Sequence, residues 1–256
     1  MNKLLLAIDV GNTHTTVAVF RGQEVEESWS FSSDTQHSAD ELWLQVASSL
    51  SASGIDSRRI ARAGISSVVP ALTERYHQAL ARRLKVDPLV ITKDHVPGIR
   101  IDYHPPEAVG ADRLCSAVAG FQRFGGPLIV IDLGTATVFD VIRADGTYEG
   151  GLIAPGLDTA VDSLHSMTAV LPRVVLTFPD SVVGKSTAES IQAGVLYGAI
   201  EMIDGIVNRL REHLGEQTRV VATGGFSTLL KSRSRTIERV EPNLVLEGIR
   251  LIVEGQ

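Results

Sequence analysis

Two stretches of the chain put an aspartate, a glycine and several hydroxyl side chains at the place where an apolar strand gives out. The first is "AIDVGNTHTTVAVF" (7–20) and the second "LIVIDLGTATVFDVI" (128–142). Asp132 follows Asp9 by 123 residues, and Gly134 follows Gly11 by the same interval. A carboxylate at a strand end can hold a magnesium ion through water. Turn amides and threonine hydroxyls can hold phosphate oxygens. A single copy reads as an ordinary hairpin turn, because Asp, Gly and Asn are turn residues. Two copies, each set between apolar strands, shift the reading to a pair of corners that clamp phosphate.

The elements around the corners follow from residue patterning. Strands are expected near 3–9 and 15–20, with a third at 24–31. "SADELWLQVASSL" (38–50) has helical apolar spacing, and Ser38 with Glu41 makes a capping box at its start. A strand ends at Pro70, and an amphipathic helix follows over 71–84, then a strand in "DPLVIT". "HPPEAVGADRLCSAVAGFQRF" (104–124) is a loop entering a long helix that Gly125 and Gly126 close. After the second hairpin come a third strand in "DGTYEGGLIAPGL" and helices over 156–168 and about 187–213. A strand at 219–224 and helical segments near 225–231 and 242–253 complete the chain. A repeat of this length suggests two domains of similar topology rather than a solenoid. The expected division is 1–124 and 125–256, with the terminal helix free to pack back on the first domain.

Composition narrows the function classes. The chain has 256 residues, 44% of them hydrophobic, and a net charge of −6. An acidic balance argues against a nucleic-acid binder, which needs a basic face. The single cysteine, Cys115, allows no internal disulfide and no cysteine-based zinc site, so a reducing compartment fits. Cys115 itself reads as a small helix-packing residue. The N-terminal apolar run is cut short by Asp9, too early for a signal peptide, and no run approaches the roughly 20 residues of a membrane span. The expectation is a cytoplasmic protein that binds neither membrane nor nucleic acid.

"DVGNTHTTVAVF" and "DLGTATVFDVI" resemble the two phosphate motifs of the acetate and sugar kinase, heat-shock chaperone and actin superfamily, and "ATGGFS" (222–227) resembles its adenosine motif. Within it, "DVGNT", "YHPPEAVGADR", "DLGTATVFD", "GGLIAPGL", "GKSTAESIQAG" and "ATGG" resemble, in order and over residues 9–225, the type III pantothenate kinases. The resemblance implies an α/β fold of two actin-like (ribonuclease H-like) domains, with mixed sheets flanked by helices and ATP in the interdomain cleft. It implies ATP-dependent phosphorylation of pantothenate to 4'-phosphopantothenate, the first step of coenzyme A biosynthesis, by a homodimer. Phosphoryl transfer needs positioning and charge neutralisation more than covalent chemistry.

Carried over residue by residue, Asp9, Val10, Gly11, Asn12, Thr13, His14, Thr15, Thr16 and Thr135 are expected to bind ATP. Asn12, Thr13, Thr135 and Thr137 would hold phosphates, while Asp9 and Asp132 would hold cations. The family uses a monovalent cation, K+ or NH4+, beside Mg2+, and Asp132 matches its metal ligand. Asp112 is the expected catalytic proton acceptor. Tyr103, Gly110, Ala111, Asp112, Arg113 and Thr187 are the expected substrate contacts, with Arg113 chemically suited to pair the substrate carboxylate. Plainer readings stand beside these. Asp112 and Arg113 also suit a helix start and its ion partner, Tyr103 a half-buried loop aromatic, and Thr187 an N-cap. His104 replaces the asparagine or aspartate of the family pattern.

"GKST" (184–187) imitates the end of a P-loop, but Pro179 stands where that motif needs glycine and offers no N–H to a phosphate. Three rivals share parts of the pattern. A kinase for another small acceptor would lack "YHPPEAVGADR". A non-catalytic regulator would have no reason to keep Asp9, Asp112 and Asp132 together. An actin-like polymer would be longer.

Overall fold

The computed structural model describes residues 3–256. Along the chain run β1 (Leu4–Val10), β2 (His14–Arg21), β3 (Glu24–Ser32), α1 (Ala39–Ala52), β4 (Ile60–Ser67), α2 (Pro70–Leu84), β5 (Leu89–Val90), β6 (Arg100–Ile101) and α3 (Ala111–Phe124). Then come β7 (Leu128–Leu133), β8 (Ala136–Ile142), β9 (Thr147–Pro155), α4 (Leu157–Ser166), α5 (Thr187–Leu214), β10 (Arg219–Thr223), α6 (Ser227–Lys231), β11 (Arg239–Val240) and α7 (Leu244–Glu254). The expected hairpins and long helices are present. The chain forms two compact units, Met1–Gln122 with Asn243–Gln256, and Arg123–Pro242.

In the first unit the sheet order is β3-β2-β1-β4-β5. β1 pairs antiparallel with β2 and parallel with β4. Its sequence LLLAIDV is buried throughout except at Asp9, as expected of a central strand covered on both faces. The core joins Leu6, Ile8, Val17 and Val19 to Leu42 and Val46 of α1 and Leu72, Tyr76 and Leu80 of α2. Each such fully buried aliphatic side chain contributes about 1.5–3 kcal/mol. The capping box forms as patterned: Glu41 N–H donates to Ser38 Oγ at 3.3 Å, and Ser38 N–H donates to Glu41 Oε2 at 2.7 Å.

α7 is part of this unit and covers β1 and β4. A Cβ at Gly64 would lie 2.5 Å from Val253 Cγ2, and one at Gly248 would lie 2.1 Å from the Cys115 carbonyl oxygen. Two glycines therefore let α7 approach a strand and α3 at backbone distance. Arg62 Nη1 donates to the Val253 carbonyl at 2.9 Å. Arg250, only 7% exposed, stands over the Phe20 ring at 5.8 Å.

In the second unit the strands run β11-β10-β7-β8-β9, the same order about a central strand. β7 pairs antiparallel with β8 and parallel with β10. Its core joins Ile129, Ile131, Leu133 and Phe139 to Leu196, Ile200, Ile203 and Val207 of α5. α5 is long and apolar enough to cross a membrane by length and composition alone, with mean hydropathy 1.2. Its apolar stripe instead lies in the core of its own unit.

Candidate active site

The first corner lies where β1 turns into β2. Gly11 N–H donates to the His14 carbonyl at 3.0 Å, closing a loop of Gly11, Asn12 and Thr13. A Cβ on Gly11 would stand 2.9 Å from that carbonyl, so the turn itself needs the glycine. Strand alternation then sorts the candidates. Asn12, Thr13 and His14 are exposed, whereas Val10 and Thr15 point inward. Thr15 Oγ1 lies 2.9 Å from Ser33 Oγ and has the Tyr76 phenol as a second partner. Of that residue the corner has the backbone only. Thr16 is half-buried and pairs with Asp9 across the ladder.

Asp9 is half-buried, and its Oδ1 accepts the Ser66 hydroxyl proton at 2.9 Å. Beside this pair lies the start of α3. Val68 N–H donates to the Val10 carbonyl at 3.1 Å, which extends the β1–β4 pairing past the last strand residue. A Cβ at Gly110 would lie 3.3 Å from Val68 Cγ1 and 2.4 Å from Asp112 Oδ1. The missing side chain at 110 is thus what lets the Asp112 carboxylate fold back over the helix start. There Oδ1 accepts the Arg113 backbone N–H at 2.8 Å. Burial pushes the Asp112 carboxyl above its ordinary value, while the Arg113 N–H and the Arg113 charge pull it down.

Cys115, one turn on, is fully buried as expected of a packing residue. Its thiol is pushed well above the ordinary value, first by burial and then by the Asp9 and Asp112 carboxylates, with the Ser66 hydroxyl acting the other way. Asp9, Ser66, Asp112 and Cys115 therefore form one neighbourhood in the first unit. Ala111 is buried, Gly110 and Arg113 are half-buried, and Tyr103 is a half-buried loop residue next to exposed His104.

The second corner lies where β7 turns into β8. Gly134 N–H donates to the Ala136 carbonyl at 3.1 Å, and the loop is Gly134 and Thr135 alone. Asp132 is half-buried and Thr135 exposed, while Thr137 is buried with its hydroxyl donating to the Pro155 carbonyl at 3.3 Å. The Thr135 carbonyl accepts Gly156 N–H at 3.1 Å and the Thr159 hydroxyl at 2.7 Å, which ties the corner to the start of α4. The "ATGG" turn reaches the acid directly. Gly224, at φ +87°, would place a Cβ 2.5 Å from Asp132 Oδ1, and Phe226 N–H donates to the Leu133 carbonyl at 3.2 Å. Thr187 is exposed in the first turn of α5, whose cap is Ser186, not Thr187.

Two residues that shape these corners, Ser66 and Thr159, lie in none of the quoted motifs, whereas Gly156 and Gly224 belong to "GGLIAPGL" and "ATGG". A signal for Ser66 exists in the sequence, since "GISS" and "VVAT" both end an apolar strand in hydroxyls.

The donor set suits magnesium held partly by a substrate. Among the described residues no group of three or more His, Cys, Asp or Glu could hold a metal by itself. Mg2+ characteristically keeps waters and uses one or two carboxylates together with substrate phosphates. Asp9 and Asp132 offer such single hard oxygens. At Asp132 the backbone of Gly224 approaches Oδ1 so closely that no side chain fits at 224.

A family model described as type III pantothenate kinase matches residues 5–209. A type III pantothenate kinase of Moorella thermoacetica is 42% identical over 251 residues, covering 98% of this chain and 99% of that one. Among solved structures, a Campylobacter jejuni protein assigned to the Baf family of transcriptional activators has a TM-score of 0.58 at 17% identity, covering 98% of each chain. An inorganic polyphosphate/ATP-glucomannokinase from Arthrobacter sp. strain KM has a TM-score of 0.51 at 12% identity, covering 100% of each chain. At those identities the structural likeness speaks for the fold alone. That fold is the actin-like one, with two mixed sheets flanked by helices.

Proposed function

The chain belongs to the type III pantothenate kinase family, and from that premise we propose how its residues carry out the reaction. The enzyme phosphorylates pantothenate with ATP, giving 4'-phosphopantothenate in coenzyme A biosynthesis. In the proposed assignment Asp112 accepts the proton of the pantothenate hydroxyl. The hydroxyl oxygen forms its bond to the γ-phosphorus as the bond to the β–γ bridging oxygen breaks, and ADP leaves with that electron pair. The observation that carries this reading is the Asp112 carboxylate, folded onto the Arg113 N–H at 2.8 Å and raised by burial, beside the strand end that bears Asp9. A general base works best when its pKa lies nearer the working pH than a free carboxylate's.

In the same assignment Arg113 pairs the substrate carboxylate, and Tyr103, Gly110, Ala111 and Thr187 are its further substrate contacts. Asn12, Thr13, His14 and Thr135 hold phosphate oxygens, joined by the backbone of Val10, Gly11, Thr15 and Thr16. Asp9 would hold the divalent metal and Asp132 the monovalent one, K+ or NH4+. Bound Mg2+ would neutralise charge on the transferring phosphates. The test is Asp112→Asn, expected to keep the fold and nucleotide binding while losing about 10²–10⁴-fold in turnover. Near-normal turnover would remove Asp112 from this role.

The assembly we propose is a homodimer in the cytoplasm. Among the described residues, apart from Leu44, the exposed large apolar residues all fall within 152–183, among them Ile153 at 66%, Met167 at 82% and Val170 at 85% exposure. Such a concentration on one segment supports this reading. On α5, Gly194 and Gly198 lie one turn apart, and a Cβ at either would meet nothing within 4 Å. Glycine inside a helix costs about 1 kcal/mol relative to alanine, a cost that close approach of a partner helix explains. Sedimentation at micromolar concentration should return a dimer, and a monomer would overturn the assignment.

A further inference from the structure

Ser66 lies in the interior of the first unit, 0% exposed, between Ile65 on one side in sequence and the corner on the other. In the parallel β1–β4 ladder it stands opposite Asp9, and its hydroxyl donates to Asp9 Oδ1 at 2.9 Å. A buried hydroxyl is costly unless it is hydrogen-bonded, so an acceptor is needed. What draws attention is which acceptor is used. The second unit repeats the placement of a hydroxyl residue opposite the acid. In its parallel ladder Thr223 of β10 stands opposite Asp132 of β7, and Thr223 is 2% exposed. Neither hairpin requires a hydroxyl at that place on the neighbouring strand.

We propose that Ser66 is a positioning residue for phosphoryl transfer. Its hydrogen bond fixes the orientation in which the Asp9 carboxylate meets the metal–nucleotide complex. Ser66 is itself well held. Gly64, two residues earlier, admits α7 against the strand, and Cys115 packs beside the hydroxyl. The proposal rests on the reading of Asp9 as the group that serves the divalent metal. A serine that only stabilised the fold would show the same bond but would not discriminate between metal-loaded and metal-free nucleotide.

The experiment compares wild type, Ser66→Ala, Ser66→Cys, Ser66→Thr, Asp9→Asn and the double variant Asp9→Asn/Ser66→Ala. Calorimetry measures equilibrium binding of a non-hydrolysable ATP analogue, once with Mg2+ and once with EDTA, and a thermal scan reports folding. Ser66→Ala should weaken Mg2+-dependent binding about tenfold, the scale of one hydrogen bond to a charged group, while EDTA binding stays within about twofold. Ser66→Cys, close in size, should behave the same way if the alanine variant folds poorly. Ser66→Thr should retain binding, as Thr223 occupies the corresponding place in the other sheet. In the Asp9→Asn background Ser66→Ala should add nothing further. Equal weakening with and without Mg2+, or an undiminished effect in the Asp9→Asn background, would overturn the proposal. If Asp9→Asn loses Mg2+-dependent binding and Ser66→Ala does not, the proposal alone falls. If Asp9→Asn itself is unaffected, the reading of Asp9 falls and takes this one with it.

Discussion

In the first unit the acidic corner runs through Gly11, Asn12 and Thr13 before β2 begins, and in the second through Gly134 and Thr135 only. The ladders record the same difference. Val10 pairs with Thr15, whereas Leu133 pairs with Thr137, so the 123-residue offset holds as far as the glycine and then slips by one. The steric demand has moved as well. Gly11 cannot carry a Cβ without meeting the His14 carbonyl at 2.9 Å. A Cβ at Gly134 would meet nothing nearer than Asp132 Oδ1 at 3.6 Å. The second corner instead needs its bare backbone at Gly156 and Gly224, where a Cβ would come within 2.2 Å and 2.5 Å of a neighbour. What both corners keep is an aspartate at the strand end and a buried hydroxyl opposite it on the parallel neighbour. The two copies hold their chemistry constant while the turns that deliver it have diverged.

Removing one charge from each corner gives the largest expected contrast. Asp9→Asn and Asp132→Asn should each lower kcat/KM for ATP by about 10- to 100-fold, the scale of a contact to a charged group. Asp132→Asn alone should also change the dependence on potassium. Rates measured across a potassium series check this, and matching responses in the two variants would make the corners equivalent after all.

A smaller effect separates the two hairpin glycines. Gly11→Ala forces backbone apart and should cost about 1–3 kcal/mol, lowering Tm by about 2–4 °C for each kcal/mol. Gly134→Ala should leave Tm within about 1 °C, because 3.6 Å is ordinary contact. Equal losses in calorimetric scans would contradict the divergence of the turns.

A modest effect on stability concerns Asp112, an acid that the repeat does not duplicate. Its carboxyl is raised in the folded protein, chiefly by burial. Protonation therefore favours the fold, and this contribution is present below the ordinary value of 3.8 and lost as pH rises through the raised one. Asp112→Asn, which cannot ionise, should raise Tm at pH 7, and the gain should vanish as pH falls toward the ordinary carboxylate range. A Tm difference that does not vary with pH would mean that Asp112 is not desolvated. In the active wild type the acid limb of the rate profile should sit above the usual carboxylate range, because only the ionised form accepts the proton.

Much of this was legible because it is written locally. β1 and β7 announce themselves as apolar runs broken by a single acid, and Ser38 with Glu41 specifies the start of α1 before any tertiary contact exists. The placement of Asp9, Asp112 and Asp132 at element ends was likewise readable. The pairing slip between the hairpins was not, since register is settled by ladder hydrogen bonds and not by residue type. The inward turn of Thr15 and Thr137 was masked by their hydroxyls, although strand alternation predicts it. Ser66 was invisible as a partner of Asp9 because the two lie 57 positions apart and meet only across a parallel ladder. The two-residue strands β6 and β11 are too short to leave a pattern.

The covering helix α7 has a consequence for how the molecule is made. The strands bearing Asp9 and Ser66 leave the ribosome with their outer side bare, and everything in the second unit is translated before residues 244–254 arrive to cover them. At about 5–20 residues per second this interval is on the order of ten seconds. The interrupted unit is thus the last to mature, while the uninterrupted one can close its core as a local event during synthesis. Until α7 lands, Gly64 and Cys115 face solvent or a chaperone. A nascent chain stalled before Asn243 would carry a finished Asp132 corner and an unfinished Asp9 one.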